Sequence, residues 1–360
     1  MSQHYQAPAP RRRQQLFRPD EPLHGCGLIT SLDSLRSHLQ TAIEIEHSTI
    51  PTYLTTLYTI NPITNAFAYQ TIQSVVMEEM LHMTLAANIM NAIGGHPAVN
   101  TNDFIPEYPT YLPHSDDAFL VPLQKFCKDT VDVFLKIEKP AHKFVPPEFN
   151  NYKTIGQFYK AVKYGLRYWD HVTPGGIFTG DKSLQVTCEQ YYGGGGKLTA
   201  VYSLSDAVLA INEIVGQGEG MDGTIEDPDQ VFFGEDVEYA HYYKFNEIRH
   251  ERRYRPEDTA NCPPTGRRVH VDWDAAINMH PNPKMKDYPV GSPLYNKTLD
   301  FNQSYMRLLT CIHDAFNGQP DLLMKAVPLM YDLKYKALDL LNLPLGNGEM
   351  AGPSFEYVAI

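Results

Sequence analysis

One helical stretch of the sequence, residues 72–93, sets a carboxylate and an imidazole in the middle of an apolar face. At helical spacing, Glu79 and His82 share one side of the helix with aliphatic residues. That stripe is Ile72, Val75, Glu79, His82, Ala86, Ile89 and Ile93. An isolated buried carboxylate costs several kcal/mol, whereas a metal cation would take both side chains as ligands. A single Glu-x-x-His arises readily by chance, so the hypothesis of a metal site needs matching residues elsewhere.

The matching residues come from three further helical segments. Glu247 and His250 form a second Glu-x-x-His on a seam with Ala240, Tyr243 and Tyr254. Each Glu-x-x-His is preceded by a helical segment with one glutamate on its apolar stripe, Glu46 in one case and Glu219 in the other. A pair of such helix pairs is typical of bundles that hold two metal ions between carboxylates.

The order of these segments predicts an all-α fold, a ferritin-like four-helix bundle with one long crossover and additional C-terminal helices. The connections between the bundle helices are short, long and short, as in that architecture. We expect an irregular or disordered arm over residues 1–29 and a single domain over residues 30–360. Within it we expect bundle helices at about 30–60, 66–94, 204–220 and 235–255, a crossover over 95–203 with one helix from Ile155 to Trp169, and accessory helices over 299–343.

The predicted metal ligands are four carboxylates and two imidazoles: Glu46, Glu79, His82, Glu219, Glu247 and His250. Such an oxygen-rich set with two nitrogen donors favours two iron ions, with manganese as the alternative. The periodicity assigns Glu219 rather than Glu213 to the buried side of its helix. It leaves open whether Glu44, His47 or Glu213 joins the site.

Three further residues are candidates for a catalytic or supporting role. Tyr53 lies two helical turns after Glu46 on the same face, where it can hydrogen-bond to a ligand. For His241 and Gln217, structural hydrogen bonding and a role toward the substrate are equally compatible with the sequence. The glycine run 193–196 is interpreted as a flexible loop, because no lysine or helix context makes it a phosphate site.

The composition excludes several other classes of function. A formal net charge of −12 argues against a nucleic-acid partner, which requires a basic surface. No apolar run approaches the ~20 residues of a membrane span, and the N-terminus has no signal-peptide pattern. Five scattered cysteines without a Cys-x-x-Cys pair favour reduced thiols and a cytoplasmic location.

Several of these motifs together resemble the ferritin-like domain of iminophenyl-pyruvate dimer synthases, enzymes related to VioB and RebD of bisindole pigment biosynthesis. Residues 39–51 are similar to the opening helix of that domain, and residues 78–82 to its second helix. Residues 214–220 and 241–245 look like its third and fourth helices, and residues 352–355 like a closing motif. The pigment enzymes are much longer chains, so the dimerising activity itself does not follow from the resemblance.

The resemblance, which covers roughly residues 31–357, implies a ferritin-like fold with a non-haem iron site. It also implies an oxidoreductase that uses dioxygen or peroxide on a small, amino-acid-derived substrate in secondary metabolism. Electrons would come from an external donor or from the substrate, and a homodimer is left open. The alternative is an iron-binding or storage protein, although more than half of the chain lies outside the four bundle helices.

Overall fold

The computed structural model describes residues 29–112, 119–140, 154–220, 224–226 and 238–360 of the protein. Within these ranges the regular structure is helical, and β-pairing is limited to isolated bridges such as that between Thr110 and Val121. The α-helices are α1 (Leu32–Thr59), α2 (Ala66–Ala92), α3 (Lys128–Ile137), α4 (Ile155–Val172), α5 (Leu204–Glu219), α6 (His241–His250), α7 (Pro293–Phe316) and α8 (Leu322–Leu341). The all-α prediction is therefore confirmed.

Helices α1 and α2 form the central hairpin of the bundle. Helix α1 begins after Ser31, whose hydroxyl accepts a hydrogen bond from the Ser34 amide at 3.0 Å. Six residues, 60–65, connect it to α2, and a connection this short makes the two helices neighbours. Buried residues surround α2 on all sides, because other helices cover both of its faces.

The crossover between α2 and α5 contains two helices that complete the walls of the bundle. Helix α4, capped by the Thr154 hydroxyl, packs against α1 and α5, as its predicted position between Ile155 and Trp169 suggests. Helix α3 packs against α6 and was not predicted from the sequence. The crossover therefore contributes directly to the bundle interior.

Helix α6 is shorter than the helix predicted over residues 235–255. The described chain is extended at residues 238–240, enters α6 at His241 and leaves it after His250. Glu251 then adopts a left-handed conformation with φ of 57°, which ends the helix. Residues 235–237 and the N-terminal arm up to residue 28 lie outside the described part of the chain.

Helices α7 and α8 pack against each other and against the outer side of the α1–α2 hairpin. They correspond to the accessory helices expected over residues 299–343. The C-terminal segment returns to this layer, where Phe355 packs edge-on against Phe301 and Tyr305. In the described parts of the chain, no helix combines the length and the apolar character needed to cross a membrane.

Candidate metal centre

Two groups of buried carboxylate and imidazole side chains meet between the bundle helices. The first group is Glu46 from α1 with Glu79 and His82 from α2. The Nδ1 atom of His82 lies 3.4 Å from Glu46 Oε2 and 4.0 Å from Glu79 Oε2. All three side chains are at most 3% exposed, so the arrangement is closed to bulk water. Their atoms lie close enough together to be shared by one cation.

The second group shares Glu79 and adds Glu138 and His241. The Nδ1 atom of His241 lies 3.1 Å from Glu79 Oε1 and 3.5 Å from Glu138 Oε2. The His82 and His241 rings are nearly parallel, with centroids 5.4 Å apart. The two groups together, Glu46, Glu79, His82, Glu138 and His241, are called the carboxylate cluster below.

Glu138 and His241 reach the carboxylate cluster from the ends of helices. Glu138 is the C-terminal cap of α3, where its amide donates to the Phe134 carbonyl at 3.0 Å. Pro140 follows two residues later, where a regular helix cannot continue. His241 is the first residue of α6, after the extended residues 238–240. Neither side chain therefore belongs to a long helical stripe.

Hydroxyl groups hold each of the three carboxylates from outside. The Thr49 hydroxyl donates to Glu79 Oε2 at 2.9 Å, and the Tyr159 hydroxyl donates to Glu46 Oε1 at 2.5 Å. The Tyr53 hydroxyl donates to Glu138 Oε1. Burial, together with the nearby carboxylates, raises the pKa of both tyrosines far above the ordinary value, so both stay protonated donors.

The two imidazoles are held by different partners. His82 Nε2 lies 2.8 Å from Gln217 Oε1, and the Gln217 amide donates to the Gly195 carbonyl at 3.0 Å. His241 Nε2 lies 2.6 Å from Glu78 Oε2. Glu78 is in turn bound by Lys244 Nζ at 2.7 and 2.9 Å, and the same ammonium donates to Glu238 Oε1 at 2.6 Å.

Close packing against α2 requires a glycine within the run 193–196. Gly195 has φ of +75°, and a Cβ atom there would lie 2.7 Å from the Met77 carbonyl oxygen and 2.8 Å from the Glu78 amide nitrogen. Only glycine allows this close approach to α2. The approach places the Gly195 carbonyl where it fixes the Gln217 side chain.

The electrostatics of the carboxylate cluster follow from burial and crowding. Burial raises the pKa of Glu79 from 4.5 to about 8; the His241 imidazole beside it opposes this, and the Glu138 and Glu46 carboxylates add to it. Burial lowers the pKa of His82, but the Glu46 and Glu79 carboxylates outweigh it, so the net direction is upward. Burial likewise opposes ionisation of Glu78, yet the Lys244 ammonium and the hydrogen bond to His241 lower its pKa to about 2.

The predicted ligands Glu247 and His250 do not join the carboxylate cluster. Glu247 is buried, but its Oε1 accepts from the Tyr254 amide at 2.6 Å and lies 3.1 Å from Arg253 Nε. His250 is exposed at the end of α6. The predicted stripe included Tyr254, which lies beyond the left-handed turn at Glu251 and is not on the helix.

The other sequence candidates lie at or around the carboxylate cluster. Tyr53 and Gln217 contact cluster members, and His241 is itself a member. Glu213 Oε1 instead accepts from the Lys197 amide at 2.8 Å. Glu44 is half-buried beside Gln40. The side chain of the predicted ligand Glu219 lies outside the described residues, so its role stays a prediction.

His47 faces away from the carboxylate cluster. Its Nε2 lies 2.6 Å from the Tyr305 hydroxyl on α7. Its ring packs against Phe104, with the two ring centroids 4.4 Å apart. Burial lowers the pKa of His47 to about 3. The structure therefore places it in the layer between the hairpin and the C-terminal helices.

Sequence reasoning missed Glu138 and Tyr159. Residues 128–137 carry an amphipathic pattern that ends in Ile-Glu-Lys-Pro, a signal for a helix end. Tyr159 lies within the predicted α4 segment, but nothing in the sequence indicates that it reaches α1.

Comparison with known proteins places the chain among related sequences and structures. The ferritin-like family model matches residues 39–250. Dichlorochromopyrrolate synthase from Lentzea aerocolonigenes is 25% identical over 334 residues, covering 78% of this chain but only 29% of that enzyme. A crystal structure of a ferritin-like protein from Caulobacter vibrioides has a TM-score of 0.60 and 24% identity, and covers 90% of this chain and 99% of that chain. The structural likeness shows the fold alone.

These comparisons confirm the resemblance to VioB- and RebD-type enzymes, since dichlorochromopyrrolate synthase is of that type. The family match runs from within α1 to the end of α6 and includes every residue of the carboxylate cluster. It also covers well over half of the sequence, and the protein therefore belongs to the ferritin-like family.

Proposed function

We propose that the protein is a non-haem di-iron oxidoreductase that acts with dioxygen or peroxide on a small, amino-acid-derived molecule. The observation that carries the proposal is the carboxylate cluster, in which two groups of buried ligand-type side chains share Glu79. Glu46 and His82 would hold one ion, and Glu138 and His241 the other. Manganese is the alternative metal, because the same donors suit both ions.

The donor set fits a pair of divalent cations. Nδ1 of His241 is fully buried and has no hydrogen-bond partner, although two carboxylate oxygens lie within 3.5 Å. A buried nitrogen of this kind is expensive unless something binds it. Three carboxylates and two imidazoles, rich in oxygen, are donors that iron and manganese accept. A cation at each group would also remove the repulsion between Glu79 and its neighbouring carboxylates.

The bound metal pair would supply the binding and reduction of dioxygen or peroxide. The residues around it orient the donors: the hydroxyls of Thr49, Tyr53 and Tyr159 each fix one carboxylate oxygen. Glu78 accepts from Nε2 of His241 and so leaves its Nδ1 as the donor atom. Gln217 does the same for His82 through a neutral amide oxygen.

A narrow cavity of about 20 Å³ beside the carboxylate cluster has room for a molecule of the size of water or dioxygen. It is lined by Glu46, Glu79, His82, Ile137, Glu138, Ile155, Gly156, Ile214, Val215 and Gly218. The aliphatic side chains keep water away from the carboxylates, while Gly218 leaves room next to Glu138. An amino-acid-derived substrate is larger than this space, so its binding would require the surrounding side chains to move apart.

The similarity to dichlorochromopyrrolate synthase supports an organic substrate over an iron-storage role. That enzyme's name denotes a biosynthetic reaction, but this chain aligns with less than a third of it. We therefore propose only the substrate class, an amino-acid-derived small molecule, and neither the relative's product nor its partners. Helices α3 and α4 form walls of the cavity, and a bundle that only binds iron does not require these additional helices.

The test is to load the protein with Fe(II) without oxygen, count the retained ions by mass spectrometry, and then admit dioxygen. We expect about two ions per chain, and consumption of an aromatic imino acid, generated in place by an amino-acid oxidase, that exceeds its consumption with the oxidase alone. A storage protein would instead take up oxygen in proportion to added iron, retain many more ions, and be indifferent to the organic molecule. Retention of no iron or manganese would refute the metal centre itself.

A further inference from the structure

A second cavity lies on the opposite side of the α1–α2 hairpin, between the hairpin and the α7–α8 layer. It encloses about 90 Å³ and is lined mostly by aliphatic, methionine and aromatic side chains. Met80 and Met83 line it from α2, and Tyr305 and Phe316 line it from α7. Among the described residues around it there is no aspartate, glutamate, lysine or arginine. This space is called the apolar cavity below.

One buried polar atom of a residue that lines the apolar cavity lacks a partner. Nδ1 of His47 is fully buried and makes no hydrogen bond, while Nε2 of the same ring contacts the Tyr305 hydroxyl at 2.6 Å. His47 as a whole is only 2% exposed. A buried donor or acceptor left without a partner destabilises a fold. The cost is removed when a bound molecule supplies the partner.

The contact with Tyr305 determines which role the free nitrogen plays. If the Tyr305 hydroxyl donates to Nε2, the proton of the neutral ring sits on Nδ1, and only that N–H is unsatisfied. If Nε2 donated instead, both the hydroxyl proton and the Nδ1 lone pair would be unsatisfied, since no other hydrogen bond of this hydroxyl is found in the described chain. The first arrangement costs less, so His47 presents an N–H donor.

We propose that the apolar cavity binds a neutral molecule with a single aromatic ring and a hydrogen-bond acceptor, which Nδ1–H of His47 recognises. A charged ligand is disfavoured because no opposite charge lines the cavity. Tyrosine and phenylalanine rings and the flexible methionines suit an aromatic partner. The cavity of about 90 Å³ is smaller than the roughly 150 Å³ of an engineered cavity that takes up benzene, so the ligand has at most one ring and the flexible methionine side chains must shift to admit it.

The apolar cavity is separate from the carboxylate cluster but shares its walls. Glu46 and His47 are adjacent in α1 and face opposite sides, and the same holds for Glu79 and Met80 and for His82 and Met83 in α2. Binding in the apolar cavity needs no metal, so the proposal does not depend on the proposed di-iron chemistry. A molecule bound there would press on the same two helices that hold the cluster.

Methionine methyl groups provide the test of where a probe binds. The probes are acetophenone, which carries an acceptor, ethylbenzene, which has a similar shape without one, and benzoate, which is charged. In protein with ¹³C-labelled methionine methyls, we expect acetophenone and ethylbenzene to shift Met80, Met83 and Met330, which line the apolar cavity. Met279 and Met350, which pair with each other elsewhere, should not move. Benzoate should bind at least tenfold more weakly than acetophenone.

Two variants test the role of the imidazole. His47→Leu keeps apolar bulk but removes the donor, and His38→Leu makes the same change in α1 at a residue outside the cavity lining. Loss of one hydrogen bond corresponds to roughly a fivefold change in affinity. We therefore expect the ratio of the acetophenone and ethylbenzene dissociation constants to change about fivefold in His47→Leu, and to stay nearly constant in His38→Leu.

A measurement on the unmodified protein covers the case in which His47→Leu does not fold. In a ¹⁵N spectrum of the histidine rings, acetophenone should move the Nδ1 resonance of His47 and ethylbenzene should leave it in place. Absence of methionine shifts at millimolar probe would overturn the site. An unchanged affinity ratio in a folded His47→Leu protein, or an Nδ1 resonance that ignores acetophenone, would overturn the recognition by His47.

Discussion

The two groups of the carboxylate cluster contain the same kinds of side chain but are built differently. Glu46, Glu79 and His82 come from the interiors of two helices of 28 and 27 residues. Glu138 and His241 come from the end of one ten-residue helix and the start of another. The first group is therefore fixed by helix packing, whereas the second depends on how the chain enters and leaves short helices.

The groups also differ in what holds the imidazole. His82 contacts the neutral Gln217 side chain, whereas His241 contacts the Glu78 carboxylate, which Lys244 keeps ionised. A carboxylate partner makes an imidazole a stronger donor to a metal than an amide partner does. If two ions bind as proposed, the comparison predicts that they bind with unequal affinity. The ion at Glu138 and His241 should bind first and leave last.

The largest expected effect is at the residue common to both groups. Glu79→Ala should reduce the metal content from about two ions per chain to nearly none, because each ion would lose a ligand and the shared bridge. Inductively coupled plasma mass spectrometry of protein desalted after anaerobic loading measures this. Glu44→Ala is the matched control, since Glu44 lies on α1 outside both groups and is half-buried. Full metal content in a folded Glu79→Ala protein would contradict the shared site.

The next prediction compares His241, which the structure places in the carboxylate cluster, with His250, which the sequence predicts as a ligand. His241→Ala should remove one ion, and His250→Ala should remove none, because His241 is buried among carboxylates while His250 is exposed. The two histidines lie at opposite ends of α6, so each variant controls for the other. The same titration applies to both proteins. If His250→Ala lost an ion and His241→Ala did not, the helical register read from the sequence would be correct.

The part of the site that could be predicted is the part that periodicity encodes. Long helices repeat their buried face every 3.6 residues, so the glutamates and the histidine on the α1 and α2 stripes were visible in the sequence. The all-α fold followed from the same signal and from the order of short and long connections. In α1 and α2, the helical repeat alone indicates which residues face the bundle interior.

The helical repeat gives no such indication for Glu138 and His241. Glu138 is a helix cap, so the turn that follows determines where its side chain points. His241 is the first residue of its helix, so no preceding helical turn in the described chain indicates which way it faces. The predicted stripe through Glu247 and Tyr254 assumed a helix that in fact ends at His250. Short helices carry too few residues for a pattern to distinguish the buried glutamate that binds Arg253 from one that faces the bundle interior. Tertiary contacts decided these positions.

A smaller effect is expected from the partners of the imidazoles. Glu78→Gln should weaken binding of the tighter ion by about 10–100-fold while leaving two sites, because His241 would keep a hydrogen bond but lose its anionic partner. Gln217→Glu should act in the opposite direction on the ion at His82. Competition with a chelator of known affinity measures both constants. The difference between the two sites should shrink in each variant, and a difference that stays unchanged would mean that these partners do not set it.

The smallest effect concerns pH and the shared carboxylate without metal. Because the pKa of Glu79 is raised from 4.5 to about 8, the folded apo protein holds a proton on it that the unfolded chain releases above pH 4.5. This stabilisation is complete below pH 4.5 and is lost as the pH rises to about 8. The pKa of His82 is also raised, which acts in the same direction.

The midpoint of thermal unfolding of the apo protein should therefore fall by a few degrees as the pH rises from 5.5 to 8. The metal-loaded protein should lack this decline, since a cation replaces the proton on Glu79. Calorimetry at several pH values in the presence and absence of a chelator gives both curves. Glu79→Gln cannot titrate and should flatten the apo curve more than Glu44→Gln does, because burial also raises the pKa of the half-buried Glu44. An equally steep apo curve in Glu79→Gln would assign the decline to other groups, such as the two imidazoles. It would also mean that protonation of Glu79 does not relieve the repulsion between the carboxylates of the two groups.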